Sequence, residues 1–164
     1  MVVADSCILI YLSRIGSLPL LRDLGKVIVT SEVYREVVVE PGGRAGSEQL
    51  EEAFGKWIRT CEIRSTELRK IVRLGGVDEA DASLLLLARE RDETLITNDK
   101  NLIQLARSMN VECWWPTTLL LKLAKSGKIT GKEAEDILFE LVSSGLRMEA
   151  GVYAAVVLQL RKMK

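Results

Sequence analysis

The sequence predicts an α/β protein: a three-layer α/β/α sandwich around a central, mainly parallel sheet, with a helical C-terminal third. Three observations lead there. Short β-branched runs alternate with longer stretches of helical periodicity, the pattern of parallel strands joined by crossover helices. After Pro116 only helical periodicity continues. The chain has 164 residues, 48% of them hydrophobic, which suffices for one sizeable core but not for two ordinary ones, so residues 1–164 are expected to form a single domain.

The elements follow in order. MVVA (residues 1–4) reads as the first strand, and residues 6–14 and 18–24 as a first helical pair. KVIVT (26–30) is a second strand, followed by a short helix over 31–39 with Ser31 as its N-cap. Residues 40–47, EPGGRAGS, read as a flexible loop, because their Pro and Gly cannot extend a helix. Amphipathic helices over 48–58 and 66–74 flank a third strand, TCEIR (60–64), and Gly75 and Gly76 break the chain again. Asp78 caps a helix over 79–91, whose four leucines at 84–87 mark it as central and largely buried. TLIT (94–97) and VECWW (111–115) are the fourth and fifth strands, with a helix over 100–108 between them. Helices over 117–126, 131–143 and 149–162 complete the chain, with Gly127 and Gly145 as stops.

Composition narrows the chemistry. Lys plus Arg equal Asp plus Glu at 23 each, so nucleic acid could be held only by a local basic patch. Cys7, Cys61 and Cys113 are odd in number, widely spaced and set in apolar runs, as expected of reduced core residues in an intracellular protein. There is no histidine, which removes the usual general base and the commonest transition-metal ligand. The opening segment lacks a basic n-region, carries Asp5 inside its apolar run, and falls short of the about 20 residues that span a bilayer. A cytoplasmic location without membrane association is expected.

Four acids then stand out. Asp5 ends the first strand and Asp99 follows the fourth, and in open parallel sheets the carboxyl ends of the strands border the ligand crevice. Glu36 and Asp81 reach the same crevice from the helices after the second strand and after the Gly75 break. Each has an ordinary structural use as well. Asp99 suits the N-cap of the helix that follows it, Asp81 suits a capping arrangement led by Asp78, and Glu36 suits a solvated helix face. Asp5 has the weakest such use, because an acid next to a buried strand is costly unless paired or metal-bound. Carboxylates crowded together repel unless a divalent cation sits among them, and oxygen-only ligands select a hard ion, so Mg²⁺ or Mn²⁺ is expected. Such ions activate water toward phosphodiesters, which points to a nuclease. Glu79, two residues from Asp81, and Glu32, one turn from Glu36, offer alternative ligands.

The motifs VVADS (2–6), VIVTSEVYREV (27–37), DEADASLLLLA (78–88), LITND (95–99) and the closing segment 145–158 together resemble the PIN domains, in particular VapC-like toxin ribonucleases and uncharacterised prokaryotic PIN-like proteins. The resemblance covers nearly the whole chain and rests on the order and spacing of its motifs. It implies a PIN-like sandwich in which Asp5, Glu36, Asp81 and Asp99 bind the metal ions, Glu79 is accessory, and Ser6, Thr97 and Asn98 lend polar support. It further implies a Mg²⁺- or Mn²⁺-dependent endoribonuclease acting on RNA, a homodimer, and a cognate antitoxin partner. The rival expectation is a non-catalytic PIN-like module that binds RNA or protein. A phosphoaspartate site fits less well, because Ser6 and Cys7 stand where its further acids would be.

Other features carry weaker signals. Arg69, Lys70 and Arg73 lie closer in sequence to the acids than the lysines of the C-terminal helices do, and are candidates for substrate approach. Trp114 and Trp115 suit core or dimer contact better than base stacking, and Lys122, Lys125, Lys128 and Lys132 suit a solvated helix face better than a phosphate track.

Overall fold

The computed structural model describes residues 1–40 and 47–163. Five strands form one parallel sheet in the order β3-β2-β1-β4-β5: β1 (Val2–Ala4), β2 (Val27–Thr30), β3 (Ile58–Cys61), β4 (Thr94–Ile96) and β5 (Cys113–Trp114). Every residue of β1 and β2 is buried, because helices cover both faces of the sheet and leave no solvent side for polar alternation.

The strand order decides which helix lies where. From β1 the chain steps outward to β2 and then β3, crossing by α1 (Ser6–Arg14), a 3₁₀ segment (Leu18–Leu24), α2 (Ser31–Tyr34) and α3 (Ser47–Lys56). It then reverses to β4 and β5 through α4 (Leu68–Gly75), α5 (Glu79–Arg91) and α6 (Lys100–Ser108). Right-handed crossovers taken in opposite directions put these two sets on opposite faces. For the longer helices the packing agrees, since α1 touches α3 while α5 touches α4, α6 and strands β1, β2 and β4; the short α2, directly after β2, touches α5 as well. The expected leucine run indeed makes α5 central: Ala82 through Ala88 are all buried.

Helices α7 (Pro116–Lys125), α8 (Gly131–Ser143) and α9 (Ala150–Leu160) form the helical C-terminal third, packed on one another and, through α7, on β5. Pro116 opens α7, where its fixed φ and missing N–H cost nothing. At Gly131 a Cβ would come within 2.2 Å of the Leu160 carbonyl oxygen, so α8 starts against the end of α9 where only glycine fits. One apolar cluster runs from Val2 to Leu160.

Several boundaries depart from those expected. The helix over 48–58 ends at Lys56, and the strand expected over 60–64 begins at Ile58, whose buried side chain pairs in register with Val27. Arg59 and Thr60 are exposed, so this edge strand lacks the apolar run that would announce it. The fifth strand is cut to two residues. The helix over 31–39 is α only to Tyr34 and then widens into a π turn, Arg35–Val39, in which the Glu40 amide donates to the Arg35 carbonyl at 3.0 Å. Ser31 is not its cap. Thr30 holds the N-cap position but lends no capping side chain, because its Oγ1 accepts from Ser83 at 2.8 Å. Of the loop expected over 40–47, residues 41–46 lie outside the described residues. Among the described residues no helix is long and apolar enough to cross a membrane.

Candidate functional site

The order β3-β2-β1-β4-β5 places the reversal of direction between β1 and β4, and there the crossovers diverge and open a crevice at the carboxyl ends of the strands. Asp5 is the first residue past β1. Its amide donates to the Ile96 carbonyl at 3.1 Å, which continues the parallel register and sets Asp5 beside Thr97. The acid is only 6% exposed, yet among the described residues no cationic side chain pairs with it.

Two hydroxyls connect the acids. Thr97, fully buried, donates to Asp5 Oδ2 at 2.6 Å and accepts from the Asp99 amide at 3.0 Å, so one side chain fixes both strand ends. Ser6 Oγ stands 3.2 Å from Asp5 Oδ1 and 3.2 Å from Glu36 Oε1. A hydroxyl has a single proton to give, so these two carboxyls share it. Glu36 rides on the π turn, which aims it at Ser6. Asp99 also caps α6, accepting from the Leu102 amide at 2.9 Å, and Asp78 caps α5, accepting from the Asp81 amide at 2.8 Å. The capping and crevice uses of these acids therefore coexist.

The electrostatics are those of uncompensated like charge. Burial raises the Asp5 carboxyl above its ordinary range, although hydrogen bonds from Thr97, Cys7 and Ser6 favour the ionised form. Burial, with the charges of Asp5, Asp78 and Glu40, also raises Glu36, against the pull of the Ser6 hydrogen bond. Asp81 is pushed up to about 7 by burial and by the charges of Asp5, Asp78, Asp99 and Glu36. The crevice thus gathers Asp5, Glu36, Asp81 and Asp99 within mutual influence, with Asp78 at its margin.

The two alternative acids sit apart from this group. Glu79 is exposed on the first turn of α5. Glu32 lies 3.8 Å from Arg35 through Oε1, while its buried Oε2 has no hydrogen-bond partner among the described residues. Asn98 reaches away from Asp5 and donates to the Arg147 carbonyl at 3.2 Å. Arg69, Lys70 and Arg73 are exposed on α4, and Lys70 borders a shallow cleft with Leu105 and Met109, at the end of α6 remote from Asp99. No contact joins those three cations to the acids.

Cys7 also belongs to the site. Expected in the core, it is half-buried, its thiol hydrogen-bonds Asp5, and its sulfur accepts from the Asn98 backbone. Burial and the Asp5 charge push the thiol far up, so it stays protonated and acts as a donor. Its position two residues after Asp5, in the first turn of α1, was the available signal.

The donor chemistry fits a hard divalent cation, since the converging side chains offer carboxylate and hydroxyl oxygens and the one sulfur, Cys7, stays protonated. Among the described residues no three His, Cys, Asp or Glu side chains are arranged to hold a metal ion as they stand. Asp99 Oδ1 accepts from its helix amide, which leaves Oδ2 for a ligand.

A family model described as a PIN domain matches residues 1–162. No curated protein and no solved structure matches the chain.

Proposed function

The chain belongs to the PIN-domain family, and from that premise we propose that it is a Mg²⁺- or Mn²⁺-dependent endoribonuclease of the kind that serves as the toxin of toxin–antitoxin pairs. PIN domains are generally nucleases that use divalent metals. One observation carries the reading: Asp5, buried at the switch point without a cationic partner among the described residues, is joined through Thr97 to Asp99 and through Ser6 to Glu36. A fold gains no stability by burying such an acid. Its placement is explained by a ligand.

Asp5, Asp81 and Asp99 would hold the cation, which when bound would supply positive charge to the scissile phosphate and lower the pKa of water. Thr97 fixes the distance between Asp5 and Asp99, and the Cys7 thiol steadies the same carboxylate. Glu36, whose carboxyl burial raises above its ordinary range, would orient the attacking water and take its proton. In-line attack on the phosphorus would then break the P–O3′ bond and leave a 5′-phosphate and a 3′-hydroxyl.

The test is cleavage of single-stranded RNA by the pure protein with Mg²⁺ or Mn²⁺. Cleavage should need the ion and stop in chelator, and Asp5→Asn and Asp99→Asn should each remove it. Equal cleavage by both variants would refute the assignment. Mn²⁺ binding without cleavage would favour the non-catalytic module.

A further inference from the structure

A cleft of about 640 Å³ opens at the turn from β4 into α6, lined by Asn98, Lys100, Trp115, Pro116, Arg147 and Met148, with Thr117, Glu149 and Val152 completing its wall. Its volume is that of a small-ligand site. Asn98 and Lys100 flank Asp99 on the turn from β4 into α6, so the cleft begins one residue from the proposed cation ligand. The Asn98 side chain ties that turn to the Arg147 carbonyl and so couples the C-terminal helical third to the crevice.

The two neighbouring tryptophans are used differently. Trp114 donates its indole N–H to Glu112 at 2.7 Å, and the Lys122 ammonium sits 4.3 Å from its ring centroid, so both edge and face are occupied. Trp115 makes no side-chain hydrogen bond or ring contact among the described residues, and it faces the cleft. Lys100 and Arg147 are exposed and without a carboxylate partner among the described residues. The cleft therefore combines a free aromatic, apolar walls from Pro116, Met148 and Val152, and two cations against the single carboxylate of Glu149. These are the requirements of a nucleotide: a flat apolar base, a phosphate, and edge groups that donate to a carboxylate.

We propose that this cleft is a nucleotide subsite that takes one unpaired base of the RNA strand next to the cut phosphate, stacked on Trp115 with its phosphate between Lys100 and Arg147. The proposal rests on the nuclease reading for its substrate but not for its measurement. A base inside a duplex has both faces covered by its neighbours and cannot enter, so the subsite selects single strands. Glu149 receives the exocyclic amine of the base.

The experiment is fluorescence anisotropy of a short labelled single-stranded RNA on the full-length Asp5→Asn protein in chelator, where the strand stays intact. Trp115→Ala should weaken binding roughly 5- to 100-fold, and Trp115→Phe should restore most of it. Lys100→Ala and Arg147→Ala should each weaken binding and lower the salt slope by about one ion, while Lys128→Ala, in the exposed turn before α8, binds as the parent. A duplex of the same sequence should compete poorly. Unchanged binding by Trp115→Ala and Arg147→Ala, duplex binding as tight as single-strand binding, or no RNA binding at all overturns the subsite. Binding lost in the cleft variants of a protein that never cuts RNA would keep the subsite and discard the nuclease. Cutting unaffected by the cleft variants would do the reverse.

Discussion

Two threonine–carboxylate pairs in this molecule use the same bonds to opposite ends. At the start of α8, Thr130 and Glu133 form a reciprocal capping box at the surface: the Glu133 amide donates to Thr130 Oγ1, while the Thr130 amide and hydroxyl donate to the Glu133 carboxylate. Those bonds lower the Glu133 carboxyl below its ordinary range, so the ionised acid stabilises the fold. At the switch point, Thr97 donates to Asp5 at 2.6 Å, and Cys7 and Ser6 add their own bonds, yet burial raises Asp5. Hydrogen bonding is equally good at both places. Solvation separates them: the exposed pair keeps water around its charge, whereas the buried acid loses it and has like charges for company. An acid kept where it weakens the fold is the mark of a site.

The comparison can be broken at its strong end first. Asp5→Asn should reduce RNA cleavage by at least about 100-fold, beyond the usual effect of disturbing a ligand's support. It should nonetheless melt no lower than the parent in chelator at neutral pH, and a lower melting point would mean that Asp5 is structural. Thr97→Val should cost roughly 10- to 100-fold in cleavage and about 1–3 kcal/mol in stability, because it removes the shortest hydrogen bond to Asp5 and leaves the Asp99 amide unpaired. Urea denaturation beside the cleavage assay measures both.

Next comes pH. A folded-state pKa raised above its unfolded value contributes stability that is complete below the unfolded pKa and is lost as pH rises through the folded one. For Asp81 that window runs from its ordinary 3.8 to about 7. In chelator the melting temperature should therefore fall as pH rises toward 8, and Asp81→Asn should flatten that fall. A slope of the opposite sign would show that the crevice acids are not mutually destabilising. The smallest effect belongs to the surface pair: Thr130→Val should lose about 1 kcal/mol of helix capping and leave cleavage untouched.

Much of this was legible in the chain. Alternating β-branched and helical runs mark a parallel sheet flanked by helices, and the leucine run of α5 and the caps Asp78 and Asp99 follow from local rules that neighbouring residues enforce by themselves. Less visible were the elements whose signals depend on distant partners. Ile58 opens β3 because Val27 pairs with it, and the π turn that carries Glu36 ends a segment with ordinary helical periodicity. Lys70 looks near the acids in sequence, but α4 sets it by the end of α6 remote from Asp99, while Lys100 and Arg147 meet at one cleft from positions 47 residues apart.

By itself, then, the sequence determined the layer architecture, the absence of imidazole chemistry, and the identity of the acids at strand ends, because composition and periodicity are local properties. Only the tertiary structure decided that Thr97 and Ser6 chain Asp5 to Asp99 and Glu36, that Cys7 serves as a donor rather than as packing, and that Trp115 is free where Trp114 is taken. Those facts depend on which strand lies beside β1, on how deeply each carboxyl is buried, and on where the C-terminal helices close over the sheet edge. Burial and long-range proximity arise when the chain folds, and no short stretch of residues encodes them.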